Sequence, residues 1–396
     1  MPNTLKEFED VFKISTMCMR LNRSHPDISR TKTWKFVTFV FLTCCFFNFF
    51  FLCYSVAFHD IRVGNFTEAC KNTSMVIVFF NVSLKYLTLL MHRESIQGFI
   101  KFVEKDYAES KNDCEENRKI VLEYAERGVN VCKFWFLAFF TVSFIFPIKA
   151  FVAMGYYYWK GEFKFVSLFE LTYPEPIEKY KNVTIVFWLL FALVYSFDLY
   201  ASSMYVGFDP LVPIFLLHVC GQINILIRRL DTLFEEFEDP KELEDQLKKI
   251  IIKLQSLYDY VDCIKSCFKI LYECNIKATT FLLPLSAFQI IEDLRNHWIN
   301  VEFVAVFVAS ILHFFLPSYY SDLLMEKSED FRKAIYSSGW QKCPDKRVRQ
   351  TILLMLTRAL TPMGITTVFY DINLDTFANM CHQSYAILSL INAAWR

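Results

Sequence analysis

The run FVTFVFLTCCFFNFFFLCYSVAF, Phe36 to Phe58, holds no charged side chain and one asparagine. A helix rises 1.5 Å per residue, so about 20 such residues cross a hydrocarbon core roughly 30 Å thick. A soluble helix of that length keeps a polar face, and this run has none, so the chain is built for a lipid bilayer. Further apolar segments follow at 75–91, 134–158, 185–206, 211–227, 268–291 and 299–320, and a broken pair closes the chain at 348–361 and 374–395.

Segments 185–206 and 211–227 are separated only by GFDP, so they are either two spans or one long bent helix. Lysine and arginine decide, because cytoplasmic loops carry the excess. With 185–227 read as one helix, the successive connections hold six, two, eight, four, seven, one, seven and one of these residues. The alternation is unbroken. Splitting the helix would put both seven-charge loops outside. The expected fold is therefore an all-α membrane protein with seven transmembrane helices, the N-terminus cytoplasmic and the C-terminus extracellular. The fourth helix is long and bent near Gly207, Pro210 and Pro213, and the seventh is split at TPMGITT, Thr361–Thr367. The N-x-S/T sequons at Asn65, Asn72 and Asn182 fall in the expected outer loops and are glycosylation candidates. Those at Asn22 and Asn81 fall inside or within a span and should stay bare.

Composition narrows the function. Net charge is zero, which gives no pull toward nucleic acid. Nine glycines include no phosphate-cradling loop. The 13 cysteines lie mostly in apolar segments, where cysteine acts as a small hydrophobe. Cys263, Cys267 and Cys274 have helical spacing but nothing to close a tetrahedron, so no metal and no cofactor is expected. No HExxH, G-x-S-x-G or Ser-His-Asp arrangement supports an enzyme. A G-protein-coupled receptor would place its N-terminus outside and would need an outer-loop cysteine, and 155–184 contains none.

The last third carries a resemblance. AIYSSGW (Ala334, Tyr336, Trp340) precedes a basic helix with Arg347, Arg349 and Arg358. Pro362 and Gly364 follow, then LDTF (Leu374–Phe377) and Ser384-Tyr385 in an apolar run. With the inverted seven-span topology, this resembles the insect odorant receptors. Ala386 departs from the family's usual serine. The ending lacks the TYxxxxxQF of the related gustatory receptors, which stand as the runner-up. The loop between helices four and five is short, unlike that of the family's co-receptor, so the chain resembles a ligand-specific subunit.

The resemblance implies an odorant- or pheromone-gated, non-selective cation channel of the plasma membrane, a heterotetramer with co-receptor subunits. It also implies an organisation: 1–33 as a cytoplasmic segment, 34–227 as helices one to four, 228–267 as a cytoplasmic helical loop and 268–325 as helices five and six. Residues 326–361 then form a subunit-joining anchor containing Tyr336 and Trp340, and 362–396 a pore-lining last helix. Helical spacing puts Leu388, Ile391, Asn392 and Trp395 on one face of that helix, where a ring of apolar side chains could gate by dewetting. The ligand, a small apolar volatile, would sit in the outer half of the bundle against an apolar, aromatic wall. By depth and face the candidates are Val78 and Val82 on helix two, and Ser143, Phe146 and Ala150 on helix three. Trp188, Phe191 and Tyr195 on helix four, and Phe303, Val306 and Phe307 on helix six, complete the set. The 43 phenylalanines would suit a long hydrocarbon ligand such as a moth pheromone. Two buried pairs are expected from depth alone, Lys149 with Glu302 and Asp198 with Lys277.

Overall fold

The computed structural model describes residues 7–237, 239–297 and 300–394. These form a helical bundle. A short helix α1 (Lys13–Leu21) precedes α2 (Lys32–Tyr54), which continues through a π-helical turn at Ser55–Asp60 to Val63. Then come α3 (Phe66–Met91), α4 (Arg93–Ser110), α5 (Glu115–Trp159), α6 (Thr184–Phe208) and α7 (Leu211–Glu236). The remainder is α8 (Pro240–Arg295), α9 (Val301–Ser337), α10 (Lys346–Arg358) and α11 (Leu374–Ala394). Six stretches are long and apolar enough to cross a membrane, with α6 and α7 counted as one of 53 residues. The seventh span is α11, whose 21 residues reach the required length with a more polar composition. The fold is the expected one of seven helices, a bent fourth and a split seventh.

Helix starts follow local chemistry. Thr31 caps α2 by accepting from the Trp34 amide at 3.2 Å, and Asn65 caps α3 by accepting from Glu68. Asp345 caps α10 through the Arg347 and Val348 amides. Pro210 cannot donate to α6, so the fourth span breaks at Asp209–Pro210. Gly207 contributes differently from the expected kink. A Cβ there would lie 3.2 Å from the Met19 backbone nitrogen, so its bareness lets α1 pack against α6, where Ser15 donates to the Gly207 carbonyl at 2.7 Å.

Breaking the last span inside a bundle strands main-chain donors, which apolar surroundings penalise. Two serines of α9 take them up. Ser328 Oγ accepts from the Met363 amide and Ser321 Oγ from that of Ile365. The chain then reverses through a Thr366–Asp371 bridge before Asn373 caps α11 through Thr376.

The core is densest around α7, where every residue from Leu211 to Ile223 is buried. Two ionic clusters interrupt it. In the first, Asp106 on α4 accepts from His218 Nε2 at 2.8 Å and Lys253 Nζ at 2.5 Å. Burial alone would raise that carboxyl, but the hydrogen bonds and charge of His218 and Lys253 hold it below its ordinary 3.8. A depressed carboxyl stabilises above its unfolded value, so this contribution is full at neutral pH and fades only as acid passes below about 3.8. In the second, Lys85 of α3 pairs with Asp209 at the α6–α7 break, 2.6 Å apart, and His313 of α9 stands 3.5 Å from the same carboxylate. Lys85 belongs to no motif of the sequence, although a lysine inside an apolar span is a signal in itself.

Candidate ligand-binding cavity

A cavity opens in the half of the bundle away from the α7–α8 hairpin. Its walls come from six span helices. Asn48 and Leu52 of α2 face Met75, Val78 and Asn81 of α3, while α5 contributes Phe139, Val142 and Phe146. Val194, Phe197, Asp198, Ala201, Ser202 and Tyr205 of α6 line the longest side. Thr279 and Leu282 of α8, with Val306, Ala309, Ser310 and His313 of α9, close it.

The end of the cavity away from that hairpin is covered by chain that reads as a loop. Between α5 and α6, Leu168, Leu171 and Tyr173 are buried, and Phe169 and Leu171 line the cavity. The Thr172 amide donates to Ser55 Oγ at 3.1 Å, tying this segment to the π-helical turn of α2. The signal was present in FKFVSLFELTY, which is too apolar for a solvated connection.

Of the eleven expected ligand contacts, Val78, Phe146 and Val306 line the cavity. Ser143 sits fully buried behind it and donates to Asp198 Oδ2 at 2.8 Å. The others are placed differently. Val82 packs in the main core and Phe307 against the cluster beneath the last helix. Ala150 is buried away from the cavity, Phe191 packs at tilted and edge-on angles against Phe151, Phe187 and Trp188, and Trp188 is 42% exposed. Tyr195 is half-buried outside the lining, and Phe303 borders a separate cleft with Glu302. The physical reason is the inserted loop. It fills the layer at that end of the bundle, so on α5, α6 and α9 the open space lies roughly one to two helical turns further in than hydropathy suggested.

The two expected ion pairs divide. Lys149 Nζ lies 2.8 Å from Glu302 Oε2 and also reaches Asn300. Lys277 instead pairs with Glu273 on its own helix at 2.9 Å, and Asp198 has no basic partner among the described residues. Glu302 is nearly enclosed while Lys149 is mostly exposed. Reversing Glu302 to lysine is therefore expected to lower mature surface protein several-fold, because it buries an unpaired cation. Lys149→Glu with Glu302→Lys should recover most of it. Surface labelling of the three variants checks this, and a double variant no better than the single one would rule out the coupling.

On α11, Leu388, Ile391 and Asn392 are half-buried within their own subunit, and Asn392 Oδ1 accepts from Arg295 at 2.8 Å. Trp395 lies outside the described residues. The stripe Asp375, Asn379, His382, Ala386, Ser389 and Ala393 points away from the subunit and is exposed along its length. The expected face of this helix is thus corrected by about half a turn, because Met380 and Ser384 are the residues that anchor it. Trp340 is partly buried against the core while Tyr336 is 71% exposed. Asn72 is also corrected as a glycan acceptor. It is buried in α3 and its amide donates to Asp60 at 2.7 Å, whereas Asn65 and Asn182 are exposed. Asn22 and Asn81 are buried.

Residues 65–385 match the sequence model of the family described as 7tm Odorant receptor. The chain belongs to the odorant receptor family. Odorant receptor Or2 of Anopheles gambiae is 22% identical over 348 residues, covering 84% of this chain and 86% of its own. Odorant receptor 49a of Drosophila melanogaster is 19% identical over 98% of both. The fold agrees with the solved structure of the insect olfactory receptor OR5 from Machilis hrabei, at TM-score 0.74, 16% identity and 97% coverage of each chain. It agrees equally with that protein in complex with eugenol, at TM-score 0.75, 15% identity and 98% coverage of each. The family match decides between the odorant and gustatory readings of the C-terminal motifs. In this odorant receptor the cavity is predominantly apolar, with a few buried polar groups, as a site for a small volatile requires.

Proposed function

We propose that this odorant receptor is the ligand-specific subunit of a heteromeric, non-selective cation channel in the plasma membrane, assembled with co-receptor subunits. The observation that carries the reading is the stripe on α11. A helix facing lipid would turn only apolar residues outward, yet between the exposed Tyr385 and Leu390 this one presents Asn379, His382 and Ser389 beside small alanines. Such a stripe suits a water-filled path bordered by several subunits, where polar side chains carry hydrated ions. Subunit contacts are supplied by the opposite end. Tyr336, Leu353, Leu354 and Leu360 are all at least half exposed, an apolar group that a monomer would leave in water. The ligand cavity is lined by other helices, so binding and conduction occupy separate places.

The test is electrical. The chain expressed with an odorant co-receptor, G-protein signalling blocked, should carry cation current within milliseconds of ligand. Ser389→Cys should make that current sensitive to a charged thiol reagent. Current that needs G-proteins, or a Ser389→Cys channel indifferent to the reagent, would reject the channel reading.

Orientation belongs to the same proposal, with the N-terminus in the cytoplasm. Asn65→Gln and Asn182→Gln should each remove a glycan, seen as a step in gel mobility abolished by deglycosylation, and Asn72→Gln should change nothing. Glycan loss from Asn72, or a C-terminal tag reachable only from inside intact cells, would overturn the assigned direction.

A further inference from the structure

We propose that Asp198, held in place by Ser143, is the polar anchor of the cavity and selects ligands with a hydrogen-bond-donating head, a hydroxyl or an amine, on an apolar body. This rests on the reading of the cavity as the ligand site.

Asp198 is the sole carboxyl among the lining residues, and the lining holds no lysine or arginine. One oxygen accepts from Ser143 Oγ at 2.8 Å, and Ser143 is itself completely buried, so the carboxyl is oriented from behind. Its other oxygen has no protein donor among the described residues. Asp198 is half-buried, so a ligand that closed over this oxygen without pairing it would strand a polar group, which is costly because proteins keep buried polar groups satisfied.

The surrounding polar groups do not fill the gap. Ser310 gives its hydroxyl hydrogen to the Val306 carbonyl and Ser202 to that of Phe139. The Asn48 amide donates to the carbonyls of Cys44 and Leu193. Asn81, 2% exposed, holds a buried Oδ1 with no donor. Ser310, Ser202 and Asn48 thus spend their donors on backbone carbonyls, and the free oxygens of Asp198 and Asn81 remain as acceptors in a wall that also holds the hydroxyls of Tyr205 and Thr279. A ligand that donates completes this balance, whereas an ether or alkane of equal length leaves the acceptors unpaired. Sites built to pair a polar ligand group discriminate against analogues lacking it far more sharply than apolar walls sense a methylene.

The full chain with its co-receptor is tested against a series of one chain length: 1-alkanol, 1-aminoalkane, alkyl methyl ether and alkane. The alcohol, the amine or both should be more potent than the ether by about ten- to a hundredfold, the scale of a hydrogen bond to a carboxylate. An amine ahead of the alcohol identifies an ionised anchor, and the reverse a neutral one; either supports the proposal. Asp198→Leu should abolish the advantage, bringing alcohol, amine and ether to like potency. Ser143→Ala, which removes a positioning residue, should narrow the ratio of alcohol to ether potency. If Asp198→Leu does not reach the surface, the near-isosteric Asp198→Asn serves, with the amine advantage lost. Should no compound open the channel, the same series is scored by thermal stabilisation of the purified receptor, which separates failure of gating from failure of recognition. An unchanged order in the Asp198 variants, no advantage for donors in the wild type, or no binding by any donor-headed compound would overturn the proposal.

Discussion

Lys85→Met is expected to remove this receptor from the cell surface. The Lys85 side chain has no exposure, its ammonium lies 2.6 Å from Asp209 and it sits 3.8 Å above the Tyr205 ring. Taking the cation away leaves Asp209 enclosed with only His313, 3.5 Å off, as a possible partner. Breaking a buried pair from one side costs about 3–5 kcal/mol, against a total stability of about 5–15 kcal/mol for a typical domain. Asp209 also stands at the α6–α7 break, so a displaced carboxylate would move the wall that carries Tyr205 and Ala201 into the cavity. The double variant Lys85→Met with Asp209→Leu removes both charges and should restore most of the surface protein. Surface biotinylation of the two variants checks the pair, and wild-type surface levels for Lys85→Met alone would show that the ion pair holds nothing together.

The second large effect is on response rather than folding. Ala201 is 7% exposed and lines the cavity from α6. Ala201→Trp directs its added bulk into the cavity rather than into the dense core, which limits the strain of overpacking. Surface protein should stay near wild type while odorant-evoked current disappears. Trp188→Ala is the matched control. Trp188 is a candidate contact by helical face, yet it is 42% exposed outside the cavity, and its truncation should leave ligand potency within a factor of a few. Persistent responses in Ala201→Trp, or a collapse of potency in Trp188→Ala, would place the ligand elsewhere.

These predictions could not have been written from the sequence. Trp188, Phe191 and Tyr195 look as suitable as Phe197, Ala201 and Tyr205, because all six lie on one apolar helix. Rotation and depth separate them, and both depend on what packs opposite. Phe169 and Leu171 were invisible as cavity residues because they lie between helices, and a connection is read as solvated by default. Spacing favours Leu388, Ile391 and Asn392 on α11, but Arg295 draws Asn392 inward and the polar stripe turns out. Lys149 with Glu302 was legible because both lie at the same depth on helices that meet. Asp198 with Lys277 shared a depth but not a face.

The sequence by itself determined the seven-helix plan: the apolar lengths, the bend after Gly207, the split at Pro362 and the motifs of the family. These follow from local terms, since the transfer of each segment into lipid and the missing donor of each proline depend on neighbours along the chain. Only the tertiary structure decided which side chains line the cavity, that a connecting segment covers it, that Lys85 finds Asp209, and which stripe of α11 is left uncovered. Those outcomes depend on the rotation of each helix about its axis, and that angle is set by contacts between residues far apart in sequence.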